Sequence, residues 1–285
     1  MEFKSLKDCM TLANGVKIPC VGFGMWQTPD GDIAVNAAKH AVACGYRHID
    51  TAAIYGNEKS VGTAIKECGV PREELFITSK LWNNEHGYDR TMAAFEVSMK
   101  KLGLEYMDLY LIHWPNPAKF RGSWEEANAG TWKAFEELYE AGRIRAIGVS
   151  NFRVHHMEAL KKTQKTAPMA NQIRLCPGDT PADIINYCVK ENILLQAYSP
   201  LGTGKIFDVP EMQALSGKYG KTVAQICVRW SLQMGFNPLP KSETPSRIEE
   251  NAQVFDFSLS DEDVKLIAGL EGCVGYANDP DTAPF

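Results

Sequence analysis

No stretch of this 285-residue chain stays apolar for the roughly 18 residues that a bilayer span requires. Its start, MEFKSLKDCMTLANG, also lacks the apolar centre of an export signal. A cytoplasmic location with no membrane partner is therefore the expectation. Positive charge is in short supply: 30 Lys and Arg face 35 Asp and Glu, for a formal charge of −5. That balance speaks against a broad nucleic-acid surface and leaves room for a local anion pocket. Cys9, Cys20, Cys44, Cys68, Cys176, Cys188, Cys227 and Cys273 are scattered, without a C-x-x-C pair and without clustering with histidine. Several sit among apolar residues, as buried thiols do, and the set reads as reduced rather than as a zinc site or disulfide framework.

Several fingerprints are incomplete. GFG at 22–24 lacks the rest of G-x-G-x-x-G, so a Rossmann unit is not supported. GKYGKT ends like a P-loop, but Leu215 stands where the first glycine is needed. There is no G-x-S-x-G elbow and no Ser-His-Asp order, so acyl transfer is disfavoured. His155-His156 has no carboxylate or cysteine at ligand spacing and reads as a helix surface; no metal is expected. KKTQK (161–165) reads as a solvated helix end.

What is present is an alternation. Asn14-Gly15 between two extended runs signals a two-residue hairpin at the start. Eight short runs follow: CVGFG (20–24), YRHID (46–50), LFITSK (75–80), DLYLIH (108–113), RAIGVS (145–150), PMANQ (168–172), ILLQAY (193–198) and NPLPK (237–241). Several are continuously apolar, as in parallel strands buried on both faces. Helical stretches stand between them. Thr180-Pro181 and Thr244-Pro245 each pair an N-cap with proline at the first helical position. Ser260 with Asp263 resembles a capping box, and Thr222 opens a helix that Gly235 stops. Trp132, Phe135 and Tyr139 form a stripe suited to lying on a sheet. The pattern predicts one domain over residues 1–285: an α/β (β/α)8 TIM barrel with an N-terminal β-hairpin.

Such barrels build their sites at the C-terminal strand ends. Those ends carry Asp50, Lys80, His113, Ser150 with Asn151, Asn171 with Gln172, Tyr198 and Lys241. One such residue is ordinarily a solvated loop residue; the whole set, gathered into one mouth, asks for another explanation. Asp50, Tyr55, Lys80 and His113 supply a carboxylate, phenol, ammonium and imidazole. An ammonium beside a phenol lowers its pKa, a carboxylate holds the ammonium, and an imidazole orients a substrate oxygen. Tyr55 thus reads as a general acid. Further on, Lys241, Ser242 and Arg247 surround the helix start at Thr244-Pro245, a phosphate site for a sugar phosphate or a nucleotide.

At these residues the chain resembles the aldo-keto reductases. The matching stretches are GFGMWQT, GYRHIDTAAIYGNE, ITSKLWN, DLYLIHWP, GRIRAIGVSNF, NQI, AYSPLG and PKSETPSRIEENAQVFDFSLS, in the family's order over about residues 10–270. The resemblance implies a barrel that binds NADPH, with NADH left open. It implies Tyr55 as proton donor, Lys80 and Asp50 as its charge partners, and His113 as the orienting group. Met25, Ser150, Asn151, Gln172, Tyr198, Ser199, Leu201, Gly202, Lys241, Ser242, Arg247, Glu250 and Asn251 would then bind the cofactor. Trp26, Trp82 and Trp114 would wall the substrate pocket.

Two departures stand out. NQIRLCP places Arg174 and Cys176 where the family has Glu and His, which suggests a rearranged loop and a positive charge at the mouth. Glu243 follows Lys241-Ser242 where a neutral residue is common, and would weaken NADP preference if it faces the phosphate. The C-terminal loop ending in VGYANDPDTAPF is short beside the family's longer relatives, which suggests an open pocket and a broad substrate range. The expected function is NADPH-dependent reduction of small aldehydes, ketones or α-dicarbonyls by a monomer resembling glyoxal and diketogluconate reductases. The rivals are an NADPH-binding sensor subunit with little turnover and a sugar-phosphate enzyme using the Lys241–Arg247 pocket.

Overall fold

The computed structural model describes residues 3–285. An antiparallel hairpin, β1 (Cys9–Thr11) with β2 (Lys17–Pro19), lies at the start. Its loop is longer than the Asn-Gly signal suggested. Leu12 N–H donates to Val16 O at 2.9 Å and Gly15 N–H to Leu12 O at 2.8 Å, closing a three-residue loop. A two-residue turn of that type needs positive φ at both central residues, and here only Gly15 has it, at 86°. The Asn14 side chain instead donates to Arg145 O at 2.9 Å, pinning the hairpin to the barrel.

Eight parallel strands follow in sequential order: β3 (Phe23–Gly24), β4 (His48–Asp50), β5 (Phe76–Leu81), β6 (Leu109–Ile112), β7 (Ile147–Ser150), β8 (Ala170–Arg174), β9 (Leu194–Tyr198) and β10 (Asn237–Leu239). Gly22 N–H to Pro238 O and Gly24 N–H to Pro240 O, both 3.0 Å, join the last strand to the first and close the barrel. Every residue of β5 to β8 is buried, because side chains fill the interior and helices cover the outside.

The helices are α1 (Asp32–Ala43), α2 (Glu58–Glu67), α3 (Tyr88–Leu102), α4 (Trp124–Glu140), α5 (Val154–Lys161), α6 (Ala182–Lys190), α7 (Pro210–Tyr219), α8 (Val223–Gln233), α9 (Pro245–Ala252) and α10 (Asp261–Ala268). Thr222 caps α8 reciprocally with Gln225, and Pro245 is the first residue of α9. Pro181 sits one position earlier than its motif predicted: with ψ at 101° it is the N-cap, and α6 starts at Ala182. Ser260 Oγ accepts Asp263 N–H at 3.2 Å, but the Ser260 N–H goes to the Tyr219 hydroxyl at 2.9 Å, so Tyr219 completes that cap. Trp132 and Phe135 face inward from α4, with Phe135 packed 4.8 Å from Tyr110 of β6. Among the described residues no helix is long and apolar enough to cross a membrane.

Candidate active site

Asp50, the last residue of β4, is held in place from both sides. Lys80 of β5 donates to its Oδ1 at 2.5 Å and Gln172 of β8 to its Oδ2 at 2.7 Å. The chain of amides continues across the barrel: Gln172 Nε2 to Gln196 Oε1 at 3.3 Å, then Gln196 Nε2 to Asn237 Oδ1 at 2.9 Å. Asn237 ends it on the carbonyls of Pro19 and Cys20. An ion pair buried this deeply is costly unless its remaining lone pairs and protons are satisfied, and this relay satisfies them.

Lys80 is fully buried. Besides Asp50 it reaches Thr51 O at 2.9 Å and the Tyr55 hydroxyl at 3.4 Å. Tyr55 sits in a single 3-10 turn after β4, spanning Ala53–Tyr55 and ended by Gly56 at φ 75°. That turn swings the ring over the ammonium and against His113, with ring centres 5.8 Å apart. Trp82 packs edge-on to His113 at 5.3 Å.

Burial sets the electrostatics here. Burial first, then the Asp50 carboxylate, holds the Tyr55 phenol well above its ordinary value. This reverses the sequence expectation, in which the neighbouring ammonium dominated. Burial lowers the Lys80 ammonium while Asp50 opposes that effect. Burial, then the charge of Lys80, holds His113 well below 6.5, so its imidazole is neutral. The result is a protonated phenol beside a cation that stabilises its conjugate base.

These groups open onto a cavity of about 980 Å³. Asp50, Tyr55 and His113 line it, as do Trp26, Trp82 and Trp114. So do Ser150, Asn151, Gln172, Tyr198, Ser199 and Leu201, and from the α9 end Lys241, Ser242, Arg247, Glu250 and Asn251. Lys80 lies behind this wall. Met25 and Gly202 do not reach the cavity. Met25 is wholly buried, and its carbonyl accepts from Asn57 at 2.9 Å. Gly202 is buried at φ 54°, where an added Cβ would meet Val274 at 2.9 Å.

The polar groups of the wall are pre-positioned. Tyr198 donates to Asn151 Oδ1 at 2.8 Å, and Asn151, at φ 61°, donates to His113 O at 2.9 Å. Ser150 Oγ donates to Gln172 O at 2.7 Å. Asn251 Oδ1 is buried with no partner among the described residues, an acceptor left for a ligand donor. Lys241 and Glu243 form an ion pair at 2.6 Å.

Arg174 lines the cavity, as expected, but its charge is not free: it pairs with Asp179 at 3.1 Å and donates to Gly275 O and Val274 O at 2.9 and 3.2 Å. Cys176 is buried, its backbone paired with Asp179, and burial pushes its thiol up to about 12. The His155-His156 pair is no plain helix surface. His156 is fully buried, and both rings reach Asp281, at 2.9 Å for His156 and 3.2 Å for His155.

The C-terminal segment explains these contacts, and the sequence reading missed it. Val274 to Asn278 and Phe285 line the cavity. The Phe285 ring lies 4.8 Å from that of Trp114 and stacks at 6.3 Å on Trp82. Asp281 also accepts from Asn116 at 3.0 Å, and Ala118 N–H reaches Phe285 O at 3.1 Å. The tail therefore covers part of the mouth, against the expected open pocket. A terminal aromatic beside Arg174 and the two histidines was its only trace in the sequence.

Residues 20–271 match the family model described as the aldo/keto reductase family. The chain is 47% identical to the glyoxal reductase of Bacillus subtilis (strain 168) over 281 residues, 99% of each chain. It superposes with TM-score 0.91 on an aldo-keto reductase from a Medee basin deep-sea metagenome library, at 42% identity over 97% of this chain and all of that one. It superposes with TM-score 0.86 on the Bombyx mori aldo-keto reductase in complex with NADP, at 35% identity over 98% and 99% of the two chains.

Proposed function

The chain belongs to the aldo/keto reductase family, and from that premise we propose that it is an NADPH-dependent reductase of small aldehydes, ketones or α-dicarbonyls. The observation that carries this reading is Tyr55, with Lys80 at 3.4 Å, on the wall of an aromatic-lined cavity.

When bound, NADPH supplies the hydride. Tyr55 donates its hydroxyl proton to the carbonyl oxygen as negative charge develops there. Lys80 stabilises the phenolate left behind, and Asp50 keeps that ammonium charged and fixed. His113, being neutral, orients the carbonyl oxygen with a hydrogen bond and does not compete for the proton. Trp26, Trp82 and Trp114 exclude water, which strengthens each of these interactions.

Ser150, Asn151 and Gln172 would hold the carboxamide, and Tyr198 the nicotinamide face. Ser199 and Leu201 would flank the pyrophosphate, with Gly202 shaping that loop from behind. Lys241, Ser242 and Arg247 would meet the 2′-phosphate at the start of α9, where the positive end of the helix dipole favours an anion. Glu250 and Asn251 would take the adenine. In this reading the chain works as a cytoplasmic monomer on free small molecules.

The test is Tyr55→Phe. NADPH oxidation with methylglyoxal should fall by about 10²–10⁴-fold, the usual share of a general acid, while NADPH binding is retained. Reduction at the wild-type rate would show that Tyr55 is not the donor.

A further inference from the structure

The scattered cysteines conceal one grouping. His40 and Cys44 stand four residues apart on α1 and at its C-cap, so both side chains project from one helix face. Glu249, from the neighbouring α9, meets them there. Its Oε1 lies 3.0 Å from His40 Nε2, and the nitrogen, sulfur and oxygen donors all fall within 4.8 Å of one another. Neither helix contributes any of these three residues to the wall of the large cavity.

We propose that His40, Cys44 and Glu249 form a metal site for a borderline-soft divalent cation of the zinc class, outside the catalytic cavity. An imidazole, a thiolate and a carboxylate are the donor types that zinc accepts, and three protein ligands leave a position for water. With metal–ligand lengths of about 2.0–2.3 Å, tetrahedral donors sit roughly 3.2–3.7 Å apart. The His40–Glu249 pair at 3.0 Å therefore has to open slightly, while the wider donor spacings, within 4.8 Å, close by side-chain shifts of up to about 1 Å. His40 and Glu249 are 30% and 53% exposed, which leaves them free to make that adjustment and gives the ion a path in.

The tautomer also fits. His40 Nδ1 has no hydrogen-bond partner among the described residues, so it can carry the proton in water while Nε2 presents its lone pair. The second histidine cluster fails the same test. His156 Nδ1 accepts the Arg153 N–H at 3.1 Å, so its Nε2 holds the proton that faces Asp281. A metal there would have to displace that proton, leaving an imidazolate.

Lys4 and Lys7 line the shallow hollow that Cys44 and Glu249 share, and their charge opposes a cation. The affinity should be modest for that reason. A bound ion would tie α9, which carries Arg247 and Asn251, to α1.

Cobalt(II) reports on such a site directly, because a thiolate ligand gives a charge-transfer band and a tetrahedral field gives intense visible bands. Tag-free full-length protein titrated with Co²⁺ should show both, saturating at one equivalent. Cys44→Ser should abolish the charge-transfer band, whereas Cys9→Ser and Cys273→Ser should keep it. His40→Gln should weaken Zn²⁺ binding in calorimetry at least about tenfold, a minimum set by the losses seen on removing outer-shell partners. Zn²⁺ should raise the melting temperature of the wild type and not of either ligand variant. Absence of the band in the wild type, or its survival in Cys44→Ser, would overturn the proposal. Zn²⁺ shifts of equal size in wild type and both ligand variants would do the same.

Discussion

Glu243→Gln probes the end of the cavity proposed to hold the cofactor's 2′-phosphate. In the structure the ammonium that would meet the 2′-phosphate is already paired, Lys241 Nζ to Glu243 Oε1 at 2.6 Å, with the two side chains 31% and 36% exposed. A half-exposed pair of this kind is worth about 0.2–1 kcal/mol after solvent screening. In the proposed site NADPH would have to break or share that pair and would also meet the carboxylate's repulsion; NADH, lacking the phosphate, would meet neither. Replacing Glu243 with the isosteric amide removes both costs and keeps the shape. The KM or Kd for NADPH should fall by about 1.4- to 5-fold, the factor that corresponds to this energy range. The NADH value should stay put. The gain should shrink as ionic strength rises, because screening already weakens the pair in the parent chain. The assay is steady-state kinetics with both cofactors at low and high salt, backed by fluorescence titration. An unchanged or higher NADPH KM would refute the reasoning, since it would mean that Glu243 serves to position Lys241. Equal shifts for both cofactors would refute it as well.

Other expectations follow from burial. His48 and His86 are buried and held neutral, each lowered to about 3. Below an unfolded value near 6.5 the unfolded chain binds protons that the folded chain refuses, so stability falls as pH drops. Between pH 6.5 and 5 each should cost roughly 1–2 kcal/mol, read from urea unfolding across that range; a flat profile would contradict their burial. Gly62 of α2 packs so close to α3 that a Cβ would lie 2.4 Å from Leu102 O. Gly62→Ala should therefore lower unfolding free energy by about 1–3 kcal/mol, the usual cost of overpacking, in the same assay. Phe285→Ala should leave Tyr55 chemistry intact and raise KM for small aldehydes more than it changes kcat, because the ring contacts Trp82 and Trp114 and none of the proton-transfer groups.

The barrel was legible because strands buried on both faces are largely apolar before their C-terminal ends, which leaves short runs such as LFI of LFITSK and LYLI of DLYLIH in the sequence. Ionisable residues at the ends of those runs were informative for the same reason: Lys80 in a fully buried β5 demands a counter-charge, and Asp50 supplies it. Met25 and Gly202 fall in the right motifs and still stay behind the wall, since a motif fixes position along the chain and not which way a residue faces. The tail was illegible in a different way. Residues 274–285 carry no periodicity, and what places them is Arg174 bound to two of their carbonyls and Asp281 met by two histidines.

Tyr55 marks the sharpest boundary between what composition and geometry each decide. From residue types alone, an ammonium near a phenol implies a lowered pKa. In the fold the phenol is buried and also faces Asp50, so desolvation and a carboxylate push it upward. The two readings lead to different proton donors. A lowered phenol would be partly ionised near neutral pH and would donate from a shrinking fraction as pH rises. A raised phenol is fully protonated there, and in the proposed mechanism Lys80 at 3.4 Å would contribute only once the proton has left. That would place the cation's stabilisation in the product of proton transfer rather than in the resting state, which is where a donor gains rate from it. Lys80→Met should accordingly slow kcat while leaving the resting Tyr55 protonated, an outcome that ultraviolet difference spectroscopy of the phenol would separate from a simple change in ground-state ionisation.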